Sequence, residues 1–447
     1  MSAASFLRRL LGRPRPEIGQ RAQRLVSLCE ALLGERGEVS GAALAREALA
    51  AWKALDERSR EEFFGVLAKE FAPAPEAVGK AADAYRYDPT PSNLIALHEV
   101  IDAARQELFR RLNMAPGGTE TLVAMRRELL RGLKKHPEWI AIDADLLHLF
   151  RSWFNRGFLR LERIDWHTPA IVLEKLIEYE AVHAVQGWRD LRRRLEADRR
   201  CFAFFHPQLR DEPLIFIEVA LTRGMSAQVQ PLLDMAAPVA TAERADHAMF
   251  YSITNCQEGL RGTSFGNLLI KQVAEELQRE LPHLRSFATL SPIPGFRSWL
   301  AAPDTRVRLA VGPKAELRHA LLAKIEEPGW HTGAEDEPLQ KLLMRLCAWY
   351  LLHAKQGAEP LDPVSRFHLG NGAVLERLNW LGDTSESGMA RSAGMMANYV
   401  YRLADVERNH ERFFSEHAVV ASRAVEKLAR KSPFAAPETA ADRHAEA

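Results

Sequence analysis

Three segments of this 447-residue chain combine residue types that could do chemistry rather than only pack. The first is Asn255–Asn267 (NCQEGLRGTSFGN), which follows an apolar run and precedes a predicted helix. Its glycines, Gly259, Gly262 and Gly266, would let the backbone approach a ligand closely. A helix N-terminus offers free N–H groups and a partial positive charge, which suit a phosphate. The pattern matches neither a P-loop nor GxGxxG, so a plain strand-to-helix turn is an equally good interpretation.

The second segment, SFATLSPIPGFRSW, contains a serine whose neighbours would hold it still. Ser291 ends an apolar run and precedes Pro292, Pro294 and Gly295. Because proline fixes the backbone angle φ, the serine hydroxyl would be held in place. Such a hydroxyl can position a substrate, but a serine that caps the next helix would have the same sequence surroundings.

The third segment, FHLGNGAVLERLNW, begins with a histidine beside a turn. His368 precedes Gly370, Asn371 and Gly372, which are residues typical of turns. Histidine can give or take a proton near neutral pH, which suits general acid–base catalysis. It is one of 15 histidines, however, and its spacing alone does not distinguish it from a structural residue.

Residues 17 to about 156 have the pattern of helices throughout. Apolar residues recur there at intervals of three and four, as in Leu122, Met125, Leu129 and Leu133. Proline and glycine interrupt the pattern at 37–38, 72–75, 88–91, 116–118 and 136–137. The pattern predicts an all-helical bundle of about six to eight helices.

The second half adds strands. Four apolar runs predict them, at 201–205, 213–221, 248–253 and 286–290. A predicted helix between the last two gives the order strand, loop, helix, strand, which indicates a mixed sheet. After residue 300 the chain is predicted to be mainly helical, with apolar stripes in 336–354 and 388–404, and to be disordered over 431–447. Tyr251, Tyr399 and Tyr401 could reach a ligand pocket, but we favour packing residues with their hydroxyls at the surface.

Composition excludes several classes of function. Lys+Arg number 60 and Asp+Glu 59, which argues against a polyanion as the main partner. Four cysteines without CxxC spacing give no support to a zinc or thioredoxin-like site and favour a reducing compartment. No apolar run is long enough to span a bilayer. The arginine-rich residues 1–16 are compatible with a transit peptide or with a basic first helix.

Four strings together resemble the malonyl-CoA decarboxylase family. They are FYSITNCQEGLRGTSFGNLLIKQV, ELQRELPHLRSFATLSPIPGFRSWL, FHLGNGAVLERLNWLGD and MMANYVYRL. The resemblance is dense from about Cys201 to Leu403 and diffuse over the N-terminal helices. One small departure is ATLSPIPGF where the family has SLSPIPGF.

The resemblance implies an α+β fold class: an all-α helical bundle over residues 1–156, then a mixed-sheet domain over 157–430 that resembles the GNAT acyltransferase fold. The family's catalytic serine and histidine fall on Ser291 and His368. The element that binds coenzyme A falls on Arg261, Gly262, Thr263, Ser264, Phe265, Gly266 and Asn267. Thr263-Ser264-Phe265 replaces the central glycine that acetyltransferase loops usually have, which is a departure from the pattern.

Such an enzyme would need no cofactor and no metal, because the thioester carbonyl of malonyl-CoA can itself accept the electrons of the broken C–C bond as an enolate. We expect His368, with a pKa near its usual ~6.5, to donate the proton that makes acetyl-CoA. Ser291 would bind either the substrate carboxylate or the thioester carbonyl. Asn371 is a possible hydrogen-bond donor to the enolate oxygen.

Two other functions remain open from the sequence: a GNAT-type acyltransferase that uses acyl-CoA, and a non-catalytic malonyl-CoA sensor. The helical half is expected to build a homo-oligomer, and the resemblance points to a dimer or tetramer. We expect a cytoplasmic protein, or one in the mitochondrial matrix if the basic N-terminus is a transit segment. Neither nucleic acid nor a membrane span is expected as part of its function.

Overall fold

The computed structural model describes residues 18–35, 37–263, 269–332 and 336–435. Within these residues the chain divides into two compact units. The first consists of the described residues of Met1–Arg160, Phe204–Leu214 and Asn255–Phe265, and the second of those of Leu161–Ala203, Ile215–Thr254 and Gly266–Ala447.

The first unit is mainly helical. Its described residues form eight α-helices: α1 Gln20–Gly34, α2 Glu38–Lys53, α3 Glu57–Lys69, α4 Pro75–Tyr87, α5 Pro91–Ile101, α6 Ala104–Asn113, α7 Gly118–Gly132 and α8 Ile140–Trp153. Each predicted break falls between two of them. Local chemistry sets the starts, since Asp56 accepts a bond from the Ser59 N–H (2.9 Å) and Thr90 from the Asn93 N–H (3.3 Å). The predicted helical bundle is confirmed.

Aromatic rings and buried arginines hold this bundle together. Trp52, Phe63, Phe64 and Trp139 form one buried cluster, with neighbouring ring centroids 4.9–6.3 Å apart. Such pairs stabilise a core beyond their area burial, by about 0.5–1.5 kcal/mol each. Arg126, only 2% exposed, donates to the Asp143 carboxylate (2.7 Å), so its charge is compensated.

The second half of the chain is built on an eight-stranded mixed sheet. The strands are β1 Arg160–Ile164, β2 Arg199–His206, β3 Leu209–Thr222, β4 His247–Asn255, β5 Ser286–Thr289, β6 Ser291–Pro292, β9 Val374–Asn379 and β10 Met396–Val400. Their order is β1-β2-β3-β4-β5-β10-β6, with β9 also paired to β10. A separate two-stranded ribbon joins β7 Lys355–Gln356 to β8 Glu359–Pro360.

The centre of the sheet has the predicted strand–helix–strand order. Strands β4 and β5 are parallel, with His247 opposite Ser286 and Phe250 opposite Thr289, and a helix connects them. Strand β10 is antiparallel to β5, β6 and β9. Buried side chains from β3, β4, β5 and β10 pack together as one core. The predicted mixed sheet is therefore confirmed.

Twelve α-helices among the described residues belong to the second unit. They are α9 Ala170–Tyr179, α10 Trp188–Arg194, α11 Gln230–Leu233, α12 Leu269–Glu280, α13 Phe296–Ala301, α14 Pro303–Leu309, α15 Ala315–Lys324, α16 Glu337–His353, α17 Pro363–Gly370, α18 Glu386–Ser392, α19 Val406–Glu416 and α20 Arg423–Arg430. The predicted stripe at 336–354 corresponds to α16, whose Asp336 cap accepts the Leu339 N–H (3.0 Å).

The predicted helical stripe at 388–404 is wrong in its second half. Helix α18 ends where Ala393 and Gly394 take left-handed backbone angles, with φ of 52° and 74°. The chain then forms strand β10, whose aromatic and β-branched residues suit a buried sheet. Strand β9, directly after the Gly370–Gly372 turn, was also missed. Neither strand has the alternation of buried and exposed residues that would distinguish it from a helix, since every residue of β10 is buried.

The chain stays packed past the predicted start of the disordered tail at residue 431. Phe434 is 7% exposed and lies against the rings of Trp299 and Trp349, under the guanidinium of Arg308. Residues 436–447, the rest of that predicted tail, lie outside the described residues. Across the described part of the chain, no helix has both the length and the apolar character that a membrane crossing requires.

Candidate active site

Strand β6 carries Ser291 at the edge of the sheet. Strands β5 and β6 pair with β10 in one register, with Ala288 opposite Val400 and Ser291 opposite Ala397. An edge position tolerates Pro292, since a proline cannot donate a ladder bond. Ser291 is 5% exposed, so its hydroxyl is held in the interior, as the flanking prolines predicted.

Helix α17 carries His368 in its last turn. Asp362 caps the helix start by accepting the N–H groups of Val364 (3.0 Å) and Ser365 (2.9 Å). The helix ends in a turn at Gly372, where φ is 81° and an added Cβ would lie 2.1 Å from the carbonyl oxygen of Val406. Only glycine fits there, and the turn fixes where the helix stops and where His368 points.

Ser291 and His368 meet although 77 residues separate them. The Ser291 Oγ lies 2.9 Å from the His368 Nε2, and the Ser291 hydroxyl donates to the Thr289 Oγ1 at 2.8 Å. The Tyr401 hydroxyl lies 2.8 Å from the His368 Nδ1. The Tyr399 ring stacks on the imidazole, with centroids 4.7 Å apart and planes 25° from parallel.

Burial makes this histidine a neutral imidazole. Desolvation lowers the pKa of His368 to about 3, so the expectation of a pKa near the usual value is wrong. A neutral imidazole carries one N–H. Because the Ser291 proton goes to Thr289, Ser291 accepts the Nε2–H, and Nδ1 accepts the Tyr401 O–H. The chain of donors therefore runs from Tyr401 through His368 and Ser291 to Thr289.

We expect no titration of His368 between about pH 5 and pH 8. A histidine whose folded pKa is lowered stays neutral until the pH falls towards that value, about 3 here. Magic-angle-spinning ¹⁵N NMR of histidine-labelled protein would follow its ring nitrogens, assigned by their absence in His368→Asn. The surface histidines, observed in the same spectra, are the internal control. A His368 midpoint near 6.5 would contradict this expectation.

The predicted coenzyme A loop is described only as far as Thr263. Arg261 is exposed, and its carbonyl accepts a bond from Arg126 Nη1 (2.8 Å), which also holds the Gly259 carbonyl (2.9 Å). Gly262 has a φ of 80° and Thr263 is 8% exposed. Ser264, Phe265, Gly266 and Asn267 lie outside the described residues. Arg261–Thr263 belong to the first unit, and Ser291 and His368 to the second.

Two residues of the motifs have structural partners. An added Cβ on Gly259 would lie 2.1 Å from the Val123 carbonyl, so this glycine permits close packing on α7. The Asn371 amide nitrogen donates to the Phe367 carbonyl (2.7 Å) at the end of α17. The role of Asn371 as an enolate donor stays a prediction. Among the described residues, no group of three or more His, Cys, Asp or Glu side chains is placed to hold a metal ion.

Comparison with known proteins identifies the family. The model of the malonyl-CoA decarboxylase C-terminal domain matches residues 157–439, and that of the N-terminal domain matches residues 71–154. The chain belongs to the malonyl-CoA decarboxylase family. The resemblance carried by the four sequence strings is thereby confirmed.

Relatives within the malonyl-CoA decarboxylase family cover most of the chain. The mitochondrial malonyl-CoA decarboxylase of Anser anser anser is 37% identical over 403 residues, which are 82% of this chain and 79% of that protein. The Rattus norvegicus protein of the same name is 37% identical over 344 residues, 72% of this chain and 70% of that protein.

Solved structures of the family agree with the fold. The malonyl-CoA decarboxylase of Rhodopseudomonas palustris superposes with a TM-score of 0.86 at 48% identity, covering 92% of this chain and 100% of that one. The Agrobacterium vitis enzyme gives 0.82 at 48% identity, covering 91% and 99%. The predicted fold class, a helical half followed by a mixed-sheet domain, is therefore confirmed.

The partners of the Ser291–His368 pair are a tyrosine and a threonine. Tyr251, Tyr399 and Tyr401 are each 1% exposed, so the prediction of surface hydroxyls is wrong, and the Tyr401 hydroxyl contacts His368, as the alternative interpretation had it. Thr289 was not considered at all. The signal was available, because residues two apart on a strand share a face, which pairs Thr289 with Ser291 and Tyr399 with Tyr401.

Proposed function

We propose that the chain converts malonyl-CoA to acetyl-CoA and carbon dioxide through a thioester enolate. Family membership supports this activity. The observation that carries it is the buried 2.9 Å contact between Ser291 and His368, with a tyrosine hydroxyl at the histidine Nδ1. A serine nucleophile needs a base that removes its proton, usually a histidine backed by a carboxylate. Here the histidine is instead a hydrogen-bond donor.

The first chemical step breaks the bond between the carboxylate carbon and the α-carbon. Its electron pair moves into the thioester as an enolate, and carbon dioxide leaves. The His368 Nε2–H stabilises the charge as it moves, and Ser291 positions the malonyl group beside it, in a site from which water is excluded. Fixed donors in a buried site stabilise such charge more strongly than water does.

The second step protonates the α-carbon. The enolate takes the Nε2 proton of His368, and the Tyr401 hydroxyl gives its proton to Nδ1, so the imidazole stays neutral throughout. Burial raises the pKa of Tyr401, but a thioester enolate is a far stronger base than a phenolate, so the transfer is downhill. After the product leaves, Nδ1 returns its proton to the Tyr401 phenolate and Nε2 takes a proton from water, which restores the starting tautomer. The sum consumes one proton and one malonyl-CoA, and yields acetyl-CoA and carbon dioxide.

Residues Arg261 to Asn267 hold the coenzyme A pyrophosphate in this proposal, with Asn371 as a further donor to the enolate oxygen. Three facts support the loop assignment: it follows β4, it precedes α12, and Arg126 fixes its Gly259 and Arg261 carbonyls. An exposed Arg261 can pair with phosphate oxygens at little cost in desolvation.

The experiment is incubation of purified, metal-stripped protein with malonyl-CoA, followed by mass spectrometry of the products. Equal amounts of acetyl-CoA and carbon dioxide without an acceptor support the decarboxylase. An acyltransferase would require an amine acceptor and release free coenzyme A, and a sensor would bind malonyl-CoA and leave it intact. Either of those results would contradict the proposed function.

Tyr401→Phe is expected to lower kcat by about 10- to 100-fold and leave KM nearly unchanged. The ring still fills the buried site beside His368, but the proton that replenishes Nδ1 is gone. Steady-state kinetics with malonyl-CoA measure this. Tyr350→Phe, another buried tyrosine (1% exposed) whose hydroxyl lies 3.4 Å from the Asp362 carboxylate, is the control and should retain kcat. Equal losses in both variants would contradict the relay.

The chain forms a homo-oligomer, a dimer or tetramer, through the α4–α5 hairpin in this proposal. Neither helix has a buried residue, although α5 is strongly apolar. Tyr87 is 93% exposed, Ile95 60% and Ile101 50%. Isolated hairpins with apolar faces are rarely left uncovered, because burying such a face stabilises an assembly.

Ile95→Asp is therefore expected to reduce the mass of the assembly. Light scattering coupled to size exclusion measures it. Val39→Asp, an apolar residue 87% exposed on α2, is the control and should leave the mass unchanged. A monomeric wild-type protein would overturn the proposal of an oligomer, and an unchanged mass for Ile95→Asp would overturn the role of the hairpin.

We propose a cytoplasmic enzyme, with the mitochondrial matrix as the alternative; the relatives from Anser anser anser and Rattus norvegicus are named as mitochondrial. Expression with a C-terminal fluorescent tag, with and without residues 1–16, separates the two.

A further inference from the structure

The sheet is interrupted beside the active site. Strand β10 pairs with Ala288 on β5 and with Ser291 on β6 in one register, which puts Thr289 opposite Tyr399. At that position, hydrogen bonds from side chains replace the backbone–backbone hydrogen bonds that usually join two strands. The Tyr399 N–H donates to the Thr289 side-chain Oγ1 (3.2 Å), and the Asn398 side chain donates to the Thr289 carbonyl (2.7 Å). The pairing of β10 with β9 shifts register at the same two residues, Asn398 and Tyr399.

Asn398 makes this interruption rigid. It is fully buried, and its Oδ1 accepts from Arg377 (2.9 Å) and Asn379 (2.9 Å). Its Nδ2 donates to the carbonyls of Thr289 (2.7 Å) and Ser226 (3.1 Å). A side-chain amide offers two donor hydrogens and one acceptor oxygen with two lone pairs, so all four positions are used. Thr289 is thus held by hydrogen bonds at its carbonyl as well as at its hydroxyl.

The Thr289 hydroxyl then faces Ser291 in a fixed direction. Thr289 is fully buried and lies two residues before Ser291 on the same face of the strand. Its Oγ1 accepts the Ser291 hydroxyl at 2.8 Å and the Tyr399 N–H at 3.2 Å. A serine hydroxyl has a single proton, so a proton directed at Thr289 cannot also be directed at His368.

We infer that Thr289 is a positioning residue that fixes the tautomer of His368 by accepting the hydrogen bond of the Ser291 hydroxyl. With its hydrogen directed at Thr289, Ser291 presents a lone pair to Nε2, and the imidazole must carry its hydrogen there. Without the Thr289 hydroxyl, the Ser291 proton turns to Nε2, and the ring hydrogen moves to Nδ1, towards Tyr401. The inference rests on the proposed function, because the Nε2–H is the proton that the enolate takes.

Thr289→Val tests this directly, because valine keeps the branched shape and removes only the hydroxyl. We expect kcat for malonyl-CoA to fall about 10- to 100-fold with little change in KM. Magic-angle-spinning ¹⁵N NMR should show the His368 proton moving from Nε2 to Nδ1. Thr289→Ser, which restores the hydroxyl, should return kcat and the tautomer to those of the wild type.

Thr121→Val is the matched control. Thr121 is 2% exposed, and its hydroxyl donates to the Gly117 carbonyl at 2.8 Å, in helix α7 of the first unit. The same substitution there removes one buried hydrogen bond of the same length and should leave kcat and the His368 tautomer unchanged. If Thr289→Val does not fold, Thr289→Ala tests the same point, because it removes the hydroxyl together with the γ-methyl group and adds no new atom to the site.

Two outcomes would overturn the inference: wild-type kcat in the folded variant that lacks the hydroxyl, or an unchanged Nε2–H tautomer. These are distinguishable from failure of the proposed function. A wild-type protein that makes no acetyl-CoA would refute the decarboxylase, whereas the NMR comparison of Thr289→Val with the wild type needs no turnover and would still decide what Thr289 does to His368.

Discussion

His368→Ala and Ser291→Ala are each expected to lower kcat for decarboxylation by at least ~100-fold, which corresponds to about 2.7 kcal/mol of transition-state stabilisation. Loss of the imidazole removes the proton given to the α-carbon, and loss of the hydroxyl removes the group that orients the malonyl unit. Because the two side chains are hydrogen-bonded to each other, we expect their contributions to catalysis to be coupled. The double variant should therefore lose little more than either single one.

Fixed-time assays of the acetyl-CoA produced measure these losses, and circular dichroism verifies that each variant is folded. His206→Ala is the matched control, because His206 is similarly buried (7% against 3% exposed) and also bonds through both ring nitrogens. It should keep kcat even if it lowers stability. Near-normal turnover of a folded Ser291→Ala or His368→Ala would refute the assignment.

Arg194→Met is expected to destabilise the fold by about 3–5 kcal/mol. Arg194 is 3% exposed and donates to Glu218 (2.8 Å) and to Asp190 (2.9 and 3.1 Å), and Glu218 is fully buried on β3. Removing the guanidinium leaves two buried carboxyl groups, those of Asp190 and Glu218, without their hydrogen-bond donor. Urea unfolding measures the loss. Arg192→Met, at an exposed arginine on the same helix, is the control and should change stability by no more than ~0.5 kcal/mol.

The loss should also grow with pH. Burial raises the pKa of Glu218 to about 8, with Arg194 pulling against that rise. An acid with a raised folded pKa contributes stability that is fully present below its unfolded pKa and is lost as the pH rises through the folded value. Without Arg194 the pKa of Glu218 rises further, so the loss of stability relative to the wild type should be larger at about pH 9, where Glu218 of the wild type is ionised, than at about pH 6, where both proteins hold it protonated. A loss below ~1 kcal/mol at both would show that the cluster does not depend on this arginine.

The sequence predicted those parts of the fold that depend on local pattern. Proline and glycine marked the helix breaks, and the apolar runs at 201–205 and 213–221 became β2 and β3. The motifs also drew attention to Ser291 and His368. The error at 388–404 has a physical cause: Met395 to Tyr401 lies in the middle of a sheet, where both faces are buried and the helical and strand patterns look alike.

The sequence could not predict the electrostatics of the site, because these depend on contacts between distant segments. The 2.9 Å contact between Ser291 and His368 needs β6 and α17 to meet, and the lowered pKa of His368 needs the shell that Tyr399 and Tyr401 complete. The identity of a histidine says only that it can titrate near neutral pH. Its folded surroundings decide whether it does.

A site with a serine and a histidine in contact must also avoid destroying the thioester it holds. Hydrolases use the same two residue types to cleave acyl groups, and an acyl-enzyme here would divert substrate from decarboxylation. The direction of the hydrogen bonds prevents this, since a serine that accepts from an imidazole and donates to Thr289 keeps its proton. In the proposed mechanism, Thr289 in front of the serine and Tyr401 behind the histidine would therefore give the site its chemoselectivity: the C–C bond breaks and the C–S bond survives.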